Sequence, residues 1–396
     1  MSGHSLVHAP VGGRILTRPF LVLLAFAAVG AVVAAYRFAT GIGTVSALND
    51  GYPWGIWIAV DVVVGTALGC GGYAVAILVY ILNRGKYHPL VRPAVLTSLL
   101  GYGLAIVAVT IDLGRFWDLW KVPVFFWRWS HSPQLEVALC VAAYNLVLLV
   151  ELSPALFEKL RTSRSAAWRS AAESGLRFAD RSLPWVLALG LLLPSMHQSS
   201  LGTMMLLPAT KLHALWFTPW LPFLFLVNCI LIGYAIVVVE ASFSSAAFRL
   251  PRETAMLSAL STVAAWVALF WVAFRVIEVA LAGDLRLIGT RAGLAFAAEL
   301  ALPIAGAAIL LTERLRASAM WQVRSAILLL VGGALFRINT YLVAFRPGKQ
   351  WSYFPSLPEL LITFGIIAGE VAIYIAVVKR FPILSGAAPA AVRSRA

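Results

Sequence analysis

The stretch WGIWIAVDVVVGTALGCGGYAVAILVYIL occupies residues 54–82 and contains one charged side chain, Asp61. A helix rises about 1.5 Å per residue, so an apolar run of this length crosses a hydrocarbon core about 30 Å thick. Comparable runs occupy 20–36, 94–113, 135–157, 184–207, 221–241, 254–281, 292–312, 325–345 and 359–378. The sequence therefore predicts an all-α, polytopic membrane protein of about ten transmembrane helices arranged as a bundle.

The composition of the 396 residues agrees with a membrane location, since 61% are hydrophobic and 12% are charged. A soluble domain carries about 25% charged residues. We expect one integral membrane domain over 1–396, with cytoplasmic tails at 1–18 and 379–396 and the helices within 20–378. The formal net charge of +14 does not indicate nucleic-acid binding, because the basic residues lie mostly in short connections between apolar runs.

Charge in the connections predicts how the chain is oriented in the bilayer. Lys and Arg concentrate on the cytoplasmic side of a membrane, and 20 of the 31 lysines and arginines fall in the two tails and in alternate connections. An even number of helices would place both termini on that basic side. We therefore predict a bacterial inner-membrane protein with both termini in the cytoplasm, a retained first helix, and a hydrophilic cytoplasmic loop at 158–182.

Ionisable residues inside the apolar runs are candidates for function, because each costs about 2.5–3.5 kcal/mol to place in hydrocarbon. Glu151 and Glu240 fall near the cytoplasmic ends of their helices and Glu370 near mid-depth, an order suited to proton transfer toward the outer half. The alternative is that the carboxylates pair with Arg275 or Arg337 and only fix the helix packing. The predicted outer half also holds further charged residues: Asp61, Asp112, Glu136, Glu278, Glu299 and Arg337.

The histidines and cysteines predict no metal cofactor, no haem and no iron–sulfur cluster in this chain. A b-type haem held by two histidines needs two facing ligands, and only His197 falls within an apolar run. The remaining histidines fall in tails or connections: His4, His8, His88, His131 and His213. The three cysteines, Cys70, Cys140 and Cys229, form no CxxC pair.

A quinone fits these limits, because its ring needs an aromatic, apolar cleft with a few polar groups, and its reduction takes up protons together with electrons. The segment 196–202, MHQSSLG, brings four polar side chains into one apolar run. Such a group is costly in a bilayer unless its members face a cavity or each other. The segment therefore indicates a ligand site around His197, with a hydrogen-bonded packing cluster as the alternative.

Six segments of the chain resemble the NrfD/polysulfide-reductase membrane-subunit family, and within it the HybB-type subunits of periplasm-facing Ni/Fe-hydrogenases. They are residues 38–46, 52–61, 83–93, 110–115, 196–202, and 342–348 with 353–355. The resemblance runs almost from end to end. It implies a quinone-reactive membrane subunit of a respiratory oxidoreductase complex, not catalytic alone, which binds quinone near the outer face and contains no haem.

The resemblance also implies partners and individual roles. A periplasmic iron–sulfur protein would exchange electrons with the quinone (menaquinone or ubiquinone), and a Ni/Fe-hydrogenase or related module would lie beyond it. Glu136 falls where the family has a carboxylate tied to proton movement. The residues implied around the quinone head are Trp54, Asp61, Asp112, Arg115 and His197.

Other functions stay open at this point. The tryptophan-rich segment 116–131 is richer in Trp than expected for a hydrogenase subunit, so the partner could instead be a sulfur-cycle module such as polysulfide reductase or a sulfite-reductase-associated complex. Buried carboxylates and arginines also line secondary transporters and proton channels, although no duplicated broken-helix pair is evident. A passive membrane anchor is the third alternative.

Overall fold

The computed structural model describes residues 8–251 and 253–386, so Arg252 and the parts of the predicted tails at 1–7 and 387–396, with His4, Arg393 and Arg395, lie outside the described residues. In the described part, the chain forms ten long helices and no β-strand. They are α1 Arg18–Thr40, α2 Trp57–Ile81, α3 Val91–Asp112, α4 Pro133–Leu160, α5 Ala166–Met204, α6 Leu221–Phe248, α7 Thr254–Leu281, α8 Arg291–Leu311, α9 Ala319–Val343 and α10 Leu357–Arg380.

The all-α membrane class is confirmed, because nine of these described helices are long and apolar enough to cross a bilayer. The exception is α5, whose 39 residues include the polar segment from His197 to Ser200. Those polar side chains lower the mean hydropathy of its outer half, although the helix packs against both α4 and α6. A helix that carries several polar groups against its neighbours is suited to holding a site.

The predicted loop at 158–182 is wrong over most of its length, because α5 already begins at Ala166. The segment is rich in alanine and long polar side chains, which favour helix when nothing breaks it. Its single glycine, Gly175, lies under the ring of Phe157 at the end of α4, where an added Cβ would be 2.4 Å from that ring. The polar start of α5 is thus a helical extension that packs back on α4.

The central helix α2 departs from regular α-helical geometry at both ends. It is π-helical over Trp57–Val62 and again over Ile77–Ile81, and α9 ends in a third such segment, Asn339–Val343. Wide turns of this kind occur mostly at functional sites. Two of the three, at the start of α2 and the end of α9, supply Ile58 and Tyr341 to the lining of the same cavity.

The two described chain ends meet on one face of the bundle. The amide of Ala9 donates to the carbonyl of Leu384 at 3.2 Å, and that of Val11 donates to Val378 at 3.1 Å. Both ends therefore lie on the same side, as an even number of crossings requires. This side is called the inner face below and the opposite side the outer face; the assignment of the inner face to the cytoplasm stays a prediction.

Candidate functional site

A cavity of about 580 Å³ opens at the outer face, where α2, α4 and α10 begin and α3, α5 and α9 end. We call it the outer cavity. Its apolar walls come from methionine, leucine, proline and aromatic side chains. Its polar groups include the carboxylate of Asp112 at the end of α3 and the ammonium of Lys211 in a loop. Its lining is Asp50, Gly51, Pro53, Trp54, Ile58, Asp112, Gln134, Met204, Met205, Leu207, Pro208, Lys211, Tyr341 and Phe345.

Hydrogen bonds fix the aromatic wall of the outer cavity. The indole Nε1 of Trp54 donates to the backbone carbonyl of Tyr341 at 3.0 Å, and its ring lies 4.6 Å from the ring of Phe345. The hydroxyl of Tyr341 donates to the carbonyl of Leu201 at 2.8 Å. These contacts connect α2, α5 and α9, so the wall is held in place before any ligand arrives, which lowers the cost of binding.

Asp112 brings the carboxylate to this cavity from the last turn of α3. Its Oδ1 is buried and has no hydrogen-bond partner among the described residues. The nearby cation is Arg37, which is 1% exposed, donates to the carbonyl of Leu113, and lies 5.0 Å from the ring of Phe38. A buried acceptor without a partner beside a cation is ready to bind a polar ligand group.

Arg37 was not predicted as a site residue, whereas Arg115 was. Arg115 is exposed on the outer surface, and the described contacts link its side chain to neither Asp112 nor the outer cavity. The signal that could have identified Arg37 is its place in the last turn of α1, directly before the resembling segment 38–46. A cation there also complements the negative end of the helix dipole.

The loop that carries Lys211 is fastened to the end of α9. The amide of Arg346 donates to the Lys211 carbonyl at 2.7 Å, and the amide of His213 donates to the Ala344 carbonyl at 2.9 Å. The ring Nδ1 of His213 accepts from the amide of Leu215 at 3.2 Å. Burial, and secondly the charge of Arg346, lower the pKa of His213 below its ordinary value of 6.5, so the imidazole is neutral there.

An apolar groove of about 570 Å³ adjoins the outer cavity, with which it shares Ile58, Gln134 and Met204. It runs between α2, α3 and α4 and is covered at the outer end by the loop of Trp120. Its lining is Ile58, Val62, Ala105, Ile106, Val109, Leu119, Trp120, Val122, Pro123, Gln134, Val137, Ala138, Leu139, Val141, Ala142, Leu201 and Met204. The two neighbouring spaces therefore differ in character, since the outer cavity has polar groups in its lining and the groove is apolar.

His197 lies one helical turn before Leu201 on α5, on the inner side of these two spaces, and lines neither of them. The residue is fully buried, its ring lies 5.4 Å from that of Tyr102, and neither ring nitrogen has a partner among the described residues. Beside it, Nε2 of Gln198 donates to Thr66 at 3.2 Å and to the Tyr102 hydroxyl at 3.3 Å. The polar segment of α5 thus forms a buried layer with α2 and α3.

Arg337 lies in the same buried layer. Its three guanidinium nitrogens donate to Oδ1 of Asn228 at 2.7 Å and to the carbonyls of Val63 and Phe225 at 2.9 and 2.8 Å. These contacts tie α9 to α2 and α6. The arginine keeps its charge without a carboxylate partner in the described part of the chain, and it is a charged neighbour of His197.

Two of the outer-half carboxylates are paired with an arginine, as the packing alternative expects. Arg275 forms an ion pair with Glu278 and lies 3.7 Å from Glu299. Glu299 also accepts from the indole of Trp216 at 3.1 Å and from Asn339 at 2.8 Å. The group joins α7, α8 and α9, and we assign it to helix packing.

A row of polar side chains runs along one face of α10. Thr363 donates to Oδ2 of Asp61 at 2.7 Å, and Glu370, two turns further inward, has Asp61 as a charged neighbour. One turn beyond, the hydroxyl of Tyr374 donates to Glu240 of α6. Spacings of four and seven residues keep these groups on one helix face. Asp61 and Glu240, predicted from separate runs, therefore meet the same helix.

The other two predicted carboxylates lie on α4, apart from that row. Glu136 is half-buried in the first turn, next to the outer cavity residue Gln134, and Glu151 lies about four turns inward near Tyr80 and Tyr144. Neither side chain forms an ion pair with a described residue. Of the residues predicted around the quinone head, the structure brings Trp54 and Asp112 together in one cavity and leaves Asp61, Arg115 and His197 outside its lining.

Known proteins resemble the chain over long stretches, although no family model matches it. It is 36% identical over 384 residues to the probable Ni/Fe-hydrogenase 2 b-type cytochrome subunit of Escherichia coli K12, which covers 95% of this chain and 94% of that protein. It is 30% identical over 203 residues to the integral membrane subunit of menaquinone reductase from Nitratidesulfovibrio vulgaris, over 50% of this chain and 46% of that one. A selenate reductase subunit from Mesobacillus selenatarsenatis is 24% identical over 244 residues, 58% of this chain and 57% of that one.

The expectation of no haem is contradicted by the first of these comparisons, since the E. coli relative is named a b-type cytochrome subunit, and such a cytochrome carries haem. The described residues do not fit the usual pair of axial histidines. His197 offers two unpartnered ring nitrogens, but it is the only described histidine within α1 to α10. The described part also has no group of three or more His, Cys, Asp or Glu suited to a metal ion.

The resemblance seen in separate motifs is confirmed by an alignment that spans nearly the whole chain and includes the segments around Trp54, Asp112 and His197. The matching names describe integral membrane subunits of hydrogenase and reductase complexes. The ten-helix architecture agrees with that description. The chain belongs to the NrfD/polysulfide-reductase family of integral membrane subunits, together with the Ni/Fe-hydrogenase subunit of E. coli.

Proposed function

We propose that the outer cavity and the adjoining apolar groove bind a quinone, whose ring occupies the polar end and whose isoprenoid tail occupies the groove. The observation that carries the proposal is that the two spaces adjoin each other and share Ile58, Gln134 and Met204 in their linings. An amphiphile with a polar ring and a long apolar tail matches a space that changes from polar to apolar along its length.

The chemistry at the ring follows from the groups that line the outer cavity. Reduction of a quinone to a quinol adds two electrons and two protons, one proton to each carbonyl oxygen. Lys211 can donate a hydrogen bond and then a proton to one carbonyl oxygen, and Asp112, when protonated, can do the same at the other. Trp54 offers a fixed aromatic wall against which the ring can stack.

The electrons would come from, or pass to, a partner, because the relatives are named as subunits of larger hydrogenase and reductase complexes. The relatives are membrane subunits of hydrogenase and reductase complexes, and this chain is a membrane subunit of a respiratory oxidoreductase of that kind. The name of the N. vulgaris relative supports menaquinone as the quinone. We propose a periplasmic iron–sulfur protein as the electron partner, with a Ni/Fe-hydrogenase module beyond it.

Protons would reach the outer cavity through the buried carboxylates. From the inner face, Glu240 passes a proton through Tyr374 to Glu370 and then to Asp61, along the row on α10. Glu151, Tyr144 and Glu136 provide a second row of titratable groups along α4, which ends next to the outer cavity. Each row supplies groups that can accept and release a proton in turn.

Binding of a short-chain menaquinone analogue to the purified chain in nanodiscs tests the proposal. Asp112→Ala should weaken binding about tenfold, because it removes a hydrogen-bond donor to the quinone ring. Ala138→Phe should also weaken binding, since its ring fills the groove. Asp284→Asn, in an outer connection that lines neither space, is the control and should bind as the wild type does. Equal affinity in all four proteins would contradict the proposed site.

A further inference from the structure

A second amphiphilic cavity, of about 570 Å³, lies on the inner half of the bundle between the end of α2 and the start of α7. We call it the inner cavity. It is separate from the quinone site, which is at the outer face. Its lining is Leu78, Leu82, Arg84, Lys86, Tyr87, Ala255, Ser258, Ala259, Thr262, Val263, Trp266 and Arg316.

The polar end of the inner cavity is strongly basic. Arg84 and Lys86 reach it from the α2–α3 connection, and Arg316 from the connection after α8. None of the three forms an ion pair with a carboxylate of the described residues. The lining contains no acidic residue, so three positive charges share one cavity without a negative charge.

The other end of the inner cavity is apolar and reaches deep into the bilayer. Trp266 lies 12 residues into α7, about 18 Å from its start at the 1.5 Å rise of a helix. Trp266 and Leu82 are 61% and 54% exposed, so this part of the cavity is open to the lipid phase. The cavity thus has a basic end at the interface and an apolar wall about as long as half a bilayer.

We propose that the inner cavity binds an anionic phospholipid, with its phosphate at Arg84, Lys86 and Arg316 and one acyl chain along α7. Basic clusters between helices on the inner side of a membrane bind anionic headgroups. A free phosphate ion would satisfy the charges but would leave the apolar wall without an occupant. The depth of the wall favours a ligand whose anion is joined to a long hydrocarbon chain.

Native mass spectrometry of the purified, delipidated chain tests this assignment, with dioleoyl-phosphatidylglycerol as the probe and dioleoyl-phosphatidylcholine as the neutral comparison. We expect the wild type to retain one phosphatidylglycerol under conditions that remove phosphatidylcholine. Replacement of Arg84, Lys86 and Arg316 together by glutamine should weaken that binding on the order of a hundredfold, since each basic residue contributes about fivefold.

Two further variants separate this site from general surface charge. The control replaces Arg161, Arg164 and Arg181, exposed on the inner side but outside the cavity, by glutamine and should bind as the wild type does. Ala255→Phe, at an exposed lining position, keeps all three cations and should still weaken binding, because its ring occupies the space for the acyl chain. Equal binding by the wild type and the Arg84/Lys86/Arg316 variant, or displacement of the lipid by millimolar inorganic phosphate, would overturn the proposal.

Discussion

Three fully buried arginines show how differently one residue type is used within this bundle. Arg275 is neutralised by two carboxylates, Arg337 donates to an amide and two carbonyls, and Arg37 lies between aromatic rings beside Asp112. The sequence shows that Arg275 and Arg337 fall inside apolar runs. It does not show which of them is paired, because the partners come from helices far apart in the chain. The alternative that the buried charged groups only fix helix packing therefore holds for Arg275 and its two carboxylates and not for Asp112.

At the same scale, the neutral imidazole of His213 predicts a pH response of the loop that carries Lys211. A histidine whose pKa is lowered in the fold contributes stability that is complete above its ordinary value of 6.5 and is lost as the pH falls through the lowered value. Protonation of Nδ1 removes the acceptor for the amide of Leu215.

Hydrogen exchange in segment 209–216, corrected for the intrinsic rate, should therefore show less protection at about pH 5 than at about pH 7.5. In His213→Asn, the side-chain oxygen can replace Nδ1 as the acceptor but does not titrate, so protection should be the same at both values. If the wild type is equally protected at both, His213 does not control this loop.

At the scale of elements, the sequence located all ten long helices but not the features within them that form the site. The apolar run 254–281 coincides with α7, because its limits are set by length and hydropathy. The π-helical segments Trp57–Val62 and Asn339–Val343, which border the outer cavity, cannot be recognised from hydropathy. The first part of α5 was predicted to be a loop because only apolar runs were interpreted as helices, and this segment is polar and amphipathic.

The contact between α1 and α10 depends on two glycines. An added Cβ on Gly365 would lie 2.6 Å from the Cα of Gly30, and helices approach this closely only where both residues are small. Gly365→Val should lower the free energy of unfolding by about 1–3 kcal/mol, because the valine forces the backbones apart. Thermal unfolding in detergent measures the loss.

Gly369→Val provides the matched control for this contact. It makes the same change one turn further along α10, where the nearest atom to an added Cβ is that of Ala27, at 3.8 Å. Its unfolding should stay close to that of the wild type. A result in which both variants unfold at the wild-type temperature would show that the two backbones are not in close contact.

The polar face of α10 predicts an effect on proton delivery that is separate from quinone binding. Glu370→Gln should slow quinone reduction about tenfold or more in the complex with its redox partner, because an amide cannot pass a proton between Tyr374 and Asp61. Quinone affinity should not change, since Glu370 lies outside the outer cavity. Glu313→Gln, on an exposed inner connection, is the control; a Glu370 variant with wild-type turnover would exclude this route.

At the scale of the whole molecule, composition and charge were sufficient for the membrane class, the number of long helices and the shared side of the two chain ends. Charge within the apolar runs selected Asp112, and the family resemblance selected Trp54. The fold brings these two residues, more than 50 positions apart in the chain, to one cavity. Lys211, Tyr341 and Arg37 could not be selected, because their relevance comes from the packing of the bundle. The expectation of no haem, drawn from the histidine count and from the family resemblance, is contradicted by the name of the E. coli relative.

Orientation across the membrane is the remaining property of the whole molecule that charge predicts. Ser163 lies in the connection between α4 and α5 on the basic inner face, and Trp127 lies on the outer face. Because the native cysteines Cys70, Cys140 and Cys229 are buried, a new cysteine can be labelled selectively. A membrane-impermeant maleimide added to intact spheroplasts should label Trp127→Cys and leave Ser163→Cys unmodified. The reverse pattern would invert the topology and place the outer cavity toward the cytoplasm.

The quinone site itself can be tested most directly by photolabelling of the purified chain with a menaquinone analogue that carries a photoreactive group on its ring, followed by peptide mapping. The label should appear in the segments that contain Trp54, Gln134 and Lys211, which meet at the polar end of the outer cavity. Excess unlabelled menaquinone should prevent it. Labelling that competes with menaquinone but maps only to the inner half of the bundle, or labelling that does not compete at all, would contradict a quinone site at the outer face.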